Sequence, residues 1–194
     1  EGSIWCTTLE NGVYYCRSKE ILNYRELTHV SARNHVLYQS KEAVFGISTT
    51  AIHNLSDPLV VPVAIPVTEN EKIQDVLQWA PNYWLVAGDQ VLLFLDARDG
   101  SFDTVQMGFK ELLGVGQQVY ALQTSFLGQI DLKKKVKVGF IPAVALRTMI
   151  STSDSTLLLS GKSGMFEFNG TDTLLPADVQ VSNVINLLED QQNR

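Results

Sequence analysis

The chain has 194 residues, 45% apolar and 19% charged, a composition that fits a globular protein and excludes a disordered one. A formal net charge of −6 excludes the concentrated basic face that a nucleic-acid footprint needs. No run approaches the roughly 18 apolar residues of a membrane span, so no membrane contact is expected within the segment.

In chain order, short apolar, β-branched and aromatic runs alternate with Gly, Asn, Asp, Ser and Pro, the text of strands and turns. "SIWCTT" and "GVYYC" read as a hairpin turning at Glu10–Gly12. In such a hairpin Cys6 and Cys16 fall nearly opposite each other. A cross-strand disulfide and two small half-buried thiols are both open, and two cysteines are too few for a zinc site. "HVLYQSKE", "AVFGIST" and "TAIHNL" follow, then "IQDVLQWAPN", "NYWLVAG", "QVLLFLD" and a weaker "SFDTVQM". Next come "FKELLGVGQ", "QVYALQT", "GQIDL" and "KKVKVGF", then "LRTMISTSDS", "TLLLSG" and "GMFEFN". "VSNVINLLEDQQNR" matches the first strand and turn of one more such unit.

The runs are periodic. Trp5, Phe45, Trp84, Tyr120 and Leu158, each central to a second strand, are 40, 39, 36 and 38 residues apart. A four-stranded unit at this period is the blade of a β-propeller, which cannot bury both faces alone and stacks on its neighbours. The prediction is one all-β domain of about five four-stranded antiparallel blades. Approximate repeats are 1–29, 30–68, 69–108, 109–142 and 143–178, with 179–194 the first strand of a next or closing blade. The five bulky residues are expected as anchors between blades, because aromatic side chains carry the largest apolar burial. The ring closes by pairing of the C-terminal strand with the N-terminal ones, or the chain is a segment of a larger propeller. Closure is the expectation, since an open segment leaves unpaired edges.

The two ends carry a family resemblance. "LPADVQVSNVINLLEDQQNR" and "GSIWCTTLENGVYY" resemble the propeller repeat of bacterial two-component regulators. Leu175-Pro176, Asn183-Val184 and Glu189-Asp190 match one half of that repeat. Gly2, Ile4-Trp5, Thr7 and Asn11-Gly12-Val13-Tyr14 match the other, while Cys6 departs from it. "SDSTLLLSGKSGMFEFNG" is a looser copy, with Leu158 in place of the usual Trp, and the middle repeats keep only the spacing. The resemblance implies the extracytoplasmic, periplasmic sensor of a histidine kinase or hybrid two-component system. It places a membrane helix and the kinase elsewhere in the parent chain, and it transfers no binding residues.

Catalytic patterns are scarce. "LSGKSGMF" fails as a phosphate-binding loop, because Thr156 stands where the leading Gly is required, and as a nucleophile elbow, because Met165 stands where the last Gly belongs. His29, His35 and His53 have no metal-ligand spacing. Asp89, Asp96, Asp99, Asp131, Asp154 and Asp172 fall in or near turns, which Asp stabilises through its side chain. Lys133, Lys134, Lys135 and Lys137 read as an edge strand guarded by lysines or as a docking patch for an acidic partner. Trp79 and Tyr83 flank the turn "APNY", where aromatic rings can stack on a sugar or a peptide. The segment is therefore expected to be a non-catalytic sensor without cofactor or metal. Its expected partners are a small-molecule or oligosaccharide ligand, the other blades of a parent ectodomain, and a second copy in a homodimer. A propeller scaffold for protein partners is the alternative, and a hydrolase or lyase a third reading.

Overall fold

The computed structural model describes residues 36–177, save 41–42, 58, 69, 144, 153, 169 and 171–173, together with Leu187. It also gives the strand backbones of residues 4–8, 12–17 and 20–23; residues 136–140 and 142 are likewise described by backbone alone. Among the described residues every regular element is a β-strand, and all strand pairings are antiparallel.

The strands form five sheets, each a meander in chain order. The first holds β1 (Ile4–Thr8), β2 (Gly12–Arg17) and β3 (Glu20–Asn23). The second holds β4 (Val36–Gln39), β5 (Val44–Ile47), β6 (Ala51–Asn54) and β7 (Val63–Ala64). The third holds β8 (Ile73–Ala80), β9 (Tyr83–Gly88), β10 (Leu92–Asp96) and β11 (Phe102–Val105). The fourth holds β12 (Glu111–Val115), β13 (Gln118–Gln123), β14 (Phe126–Asp131) and β15 (Val136–Pro142). The fifth holds β16 (Leu146–Ser151), β17 (Leu157–Gly161), β18 (Gly164–Phe168) and β19 (Leu175–Pro176). The first sheet thus has three described strands, beginning at the strand that carries Trp5. Residues 179–194, expected to supply its opening strand, lie outside the described residues apart from Leu187.

In the first hairpin Cys6 pairs with Tyr14 and Cys16 with Ile4, so the cysteines stand two residues off the facing position expected from the sequence. Diagonal positions are about 7–8 Å apart, beyond the reach of a disulfide.

The sheets stack through their first strands: β4 lies against β8, β8 against β12, and β12 against β16. That is the arrangement of blades whose opening strands surround a common axis. Among the described residues, three apolar layers fill the spaces from the second sheet to the fifth. Ile47, Ile52, Val76, Trp84, Val86 and Leu93 join the second sheet to the third. Leu85, Ala87, Phe94, Phe109, Ala121 and Phe126 join the third to the fourth. Tyr120, Leu122, Leu127, Met149, Leu159 and Phe168 join the fourth to the fifth. The middle sheets are covered on both faces, which is why "WLVAG" and "VYAL" run apolar without alternating. Aromatic pairs meet edge to face in each layer: Phe45 with Trp84 at 4.8 Å, Phe109 with Phe126 at 5.8 Å, and Tyr120 with Phe168 at 5.7 Å.

Register locates the periodic bulky residues. Counted back from the hairpin between second and third strands, Phe45, Leu85, Tyr120 and Leu158 hold one position, and Trp84 stands one residue earlier. Phe45, Leu85 and Tyr120 each reach into the layer toward the following sheet, whereas Trp84 turns back to meet Phe45 and Tyr38. Leu158 is partly buried and points away from the layer that holds Leu157 and Leu159. Trp5 lies on β1, where the backbone alone is described.

Chain crossings are tight. A Cβ on Gly108 would lie 1.8 Å from the Asp89 carbonyl oxygen, so the passage into the fourth sheet requires glycine there. Beside it the Phe109 N–H donates to the Gly88 carbonyl at 3.0 Å.

Candidate functional site

The β8–β9 turn is Pro81-Asn82. Proline fixes the first central residue, and Asn82 takes φ 64° at the second, the combination a type II turn demands. This turn brings Trp79 and Tyr83 together, with ring centroids 5.0 Å apart and planes tilted by 37°. Behind them stands Arg98, from the β10–β11 turn. Its guanidinium lies 4.8 Å from the Tyr83 ring centroid and donates to the Tyr83 hydroxyl. It also donates to Asp96, through Nε at 2.9 Å and through a terminal nitrogen at 2.5 Å. The hydrogen bond from Arg98 holds the Asp96 carboxyl well below the usual carboxylate range. The Ala97 N–H closes the group by donating to the Asn82 carbonyl at 2.7 Å. Tyr83 is thus clamped from one side, and it in turn backs Trp79.

Trp79 forms part of the wall of a cleft of about 840 Å³ between the third and fourth sheets. Leu77 and Gln78 adjoin it on β8, and the opposite side is the β12–β13 turn with Gln117 and Gln118. Gly116 opens that turn with φ 59°, the residue a type II′ hairpin requires at its first central position. The end of β14 and the turn beyond it supply Gln129, Asp131 and Lys133. Gln129 donates to the Gln118 side-chain oxygen at 2.7 Å, so each keeps a second polar atom for another partner. The backbone N–H groups of Lys133 and Lys134 donate to Asp131 at 2.9 and 3.0 Å and hold its carboxyl below the usual range. Asp131 is therefore a fixed anion that caps its own turn. The Trp79 indole N–H is buried and meets no acceptor among the described residues.

Of the two aromatic candidates, Trp79 lines the cleft and Tyr83 supports it from behind. Trp84, Phe45 and Tyr120 belong to the layers between sheets, away from this wall. The lysine cluster divides: Lys134 pairs with Asp131 at 3.7 Å, Lys135 pairs with Asp103 of the neighbouring sheet, and Lys133 lines the cleft. Lys137 lies on β15. His53 is buried on β6, while His29 and His35 lie outside the described residues. The "GKSG" stretch forms the β17–β18 hairpin turn. Among the described residues no three His, Cys, Asp or Glu side chains converge as metal ligands do. Sequence reading missed Gln117, Gln118 and Gln129, which carry no motif and converge only when two sheets stack.

No family model matches the chain, and no curated protein matches it. Solved structures do. The extracellular domain of the hybrid two-component system protein BT4673 from B. thetaiotaomicron aligns at TM-score 0.66 and 13% identity, over 98% of this chain and 29% of that one. The corresponding domain of the hybrid two-component system protein BT3049 aligns at TM-score 0.63 and 14% identity, over 89% of this chain and 28% of that one. Virginiamycin B lyase from Staphylococcus aureus aligns at TM-score 0.71 and 12% identity, over 93% of this chain and 68% of that one.

The fold is a β-propeller. The chain spans less than a third of either extracellular domain, and at these identities the likeness is one of fold.

Proposed function

We propose that this propeller is a non-catalytic sensor segment from the extracytoplasmic, periplasmic part of a two-component receptor, and that it binds an oligosaccharide or similar polyhydroxylated small molecule. The resemblance of both chain ends to two-component propeller repeats supports the setting. So does the fold shared with the two extracellular domains. In that setting the remaining blades of the ectodomain and a second receptor copy are the protein partners, and kinase activity resides elsewhere in the parent.

The observation that carries the reading is the Trp79 wall faced by the carboxamides of Gln117, Gln118 and Gln129. An aromatic face packs against the C–H face of a sugar, while carboxamides donate to and accept from hydroxyl groups. Binding fits this cleft better than chemistry. Its carboxylate, Asp131, is committed to backbone N–H groups and stays ionised at neutral pH, a poor general acid.

The test is calorimetric titration with a panel of neutral and acidic oligosaccharides. At least one should bind, and Trp79→Ala should weaken it about tenfold or more, the loss of one aromatic stacking contact. A panel without a binder, or binding that ignores Trp79, overturns the reading.

One observation favours the scaffold alternative. The β6–β7 connection exposes Leu59 at 93% and Val61 at 82%, with Val60 between them half-exposed. Apolar side chains set out on a loop between prolines suit a protein partner. Leu59→Asp with Val61→Asp should abolish self-association or partner capture under that reading and leave oligosaccharide binding unchanged.

A further inference from the structure

Two carboxylates hold the same place in successive sheets. Asp75 on β8 pairs across its hairpin with Ala87, and Glu111 on β12 pairs with Leu122, each the last residue but one before the following turn. Each reaches the next sheet's first strand. Asp75 accepts the Leu112 N–H at 2.7 Å as well as the N–H of Val76 at 2.8 Å. Glu111 accepts the Met149 N–H at 3.0 Å and the Thr148 hydroxyl at 3.1 Å. Both side chains are partly buried. The two contacts bridge β8 to β12 to β16, along the strands nearest the propeller axis.

Among the described residues these bridges have no ion-pair partner. Facing Asp75 are Tyr38 from β4, which donates to the Gln78 carbonyl at 3.5 Å, and Glu111 from β12. Facing Glu111 are Asp75 from β8 and Thr148 from β16. β9 and β13 contribute only the phenols Tyr83 and Tyr120. Lys110 and Arg147, the adjacent cations in sequence, are exposed. Glu71, the other buried acid nearby, is engaged elsewhere by the Gln90 N–H at 2.8 Å.

We propose that Asp75 and Glu111 form a proton-operated latch across three successive blades, tight when both carboxyls are protonated and loosened when both ionise. A protonated carboxyl still accepts the strand N–H through its carbonyl oxygen, and it removes the repulsion between two like charges. Burial pushes Asp75 up to about 6 and Glu111 up to about 7 against the pull of their N–H donors. The folded protein therefore holds more protons than the unfolded chain between the ordinary carboxylate values and these raised ones. Stability contributed by the latch is complete at the acid end of that window and is lost as pH rises through about 6 and then 7. Asp96, Asp99, Asp131 and Asp154 are all held below the usual range, so their loss falls at lower pH, outside the window.

The experiment is thermal unfolding of the full chain from pH 5 to pH 8 at constant ionic strength, beside the Asp75→Asn/Glu111→Gln double variant. The unaltered protein should lose about 5 °C or more in Tm across the range, and the double variant should lose most of that slope. The histidines persist in the variant, so a slope that persists with them overturns the proposal, as does a flat profile for the unaltered protein. If the variant does not fold, the amide resonances of Leu112 and Met149 in the unaltered protein decide. Titration with midpoints between about pH 5.5 and 7.5 supports the latch, and resonances that stay fixed overturn it.

Discussion

Trp79 and Trp84 stand five residues apart and obey different rules. Trp84 is buried to 2% exposure, edge-on to Phe45 at 4.8 Å and to Tyr38 at 5.7 Å, and it fills the layer between the second and third sheets. Trp84→Ala should cost about 3–5 kcal/mol by urea unfolding, the usual cost of an emptied aromatic site. Trp79 is half-buried at the cleft and carries an indole N–H without an acceptor. Trp79→Phe removes that orphan donor and keeps an aromatic face, so stability should hold within about 1 kcal/mol or rise. Gly108 gives a third residue-scale expectation. Its Cβ position is occupied by the backbone oxygen of Asp89, so Gly108→Ala must displace main chain and should cost about 2–4 kcal/mol. Urea midpoints for the three variants check this ranking. A Trp84→Ala protein as stable as Trp79→Phe would overturn the assignment of the two rings.

The β8–β9 hairpin and the β10–β11 turn act as one element through Arg98. The guanidinium lies over Tyr83, Tyr83 packs on Trp79, and Asp96 anchors the arginine. Arg98→Ala should therefore weaken a ligand that depends on Trp79 by about two- to fivefold, the worth of one exposed cation–π contact, with little change in thermal midpoint. Affinity unchanged in Arg98→Ala would mean that Trp79 needs no support from behind. At this scale the sequence was informative and also incomplete. The strands were legible because each carries a short apolar or aromatic run between turn residues, and the meander was legible because the runs recur every 36–40 residues. Register was not. Spacing alone aligned Trp84 with Phe45 and Tyr120, whereas the hairpin places Leu85 there. Trp84 stands one residue before that position, and strand alternation turns its ring to the other face. The pairing of Trp79 with Tyr83 was legible because a single tight turn makes it. The carboxamides of the cleft were not, because Gln117 and Gln129 reach Trp79 through stacking of separate sheets. The same holds for Asp75 and Glu111, whose shared position appears only once both hairpins are in register.

At the scale of the molecule the question is what covers the outer face of the fifth sheet. Stability in stacked repeats is close to a sum of blade and interface contributions, so one uncovered face affects the whole array. Phe45, Leu85 and Tyr120 each reach forward into the following sheet, and Leu158 holds the same position in the fifth. In a closed ring the following sheet is the first one, β1–β3, and Leu158 becomes an interface residue like Leu85. In an open array it faces water. Leu158→Asp separates the two states. Closure predicts a loss of about 3 kcal/mol or more, comparable to Leu85→Asp measured beside it, because a charge is forced into an apolar layer. An open face predicts a change within about 0.5 kcal/mol for Leu158→Asp while Leu85→Asp remains severe. Small-angle scattering of the unaltered protein gives the independent reading, a compact ring for closure and an arc for its absence. We expect the severe loss and the ring, since an uncovered apolar face with free strand edges invites aggregation and ring closure covers both. A mild Leu158→Asp variant together with an arc-shaped envelope would show instead that closure requires blades from a longer chain.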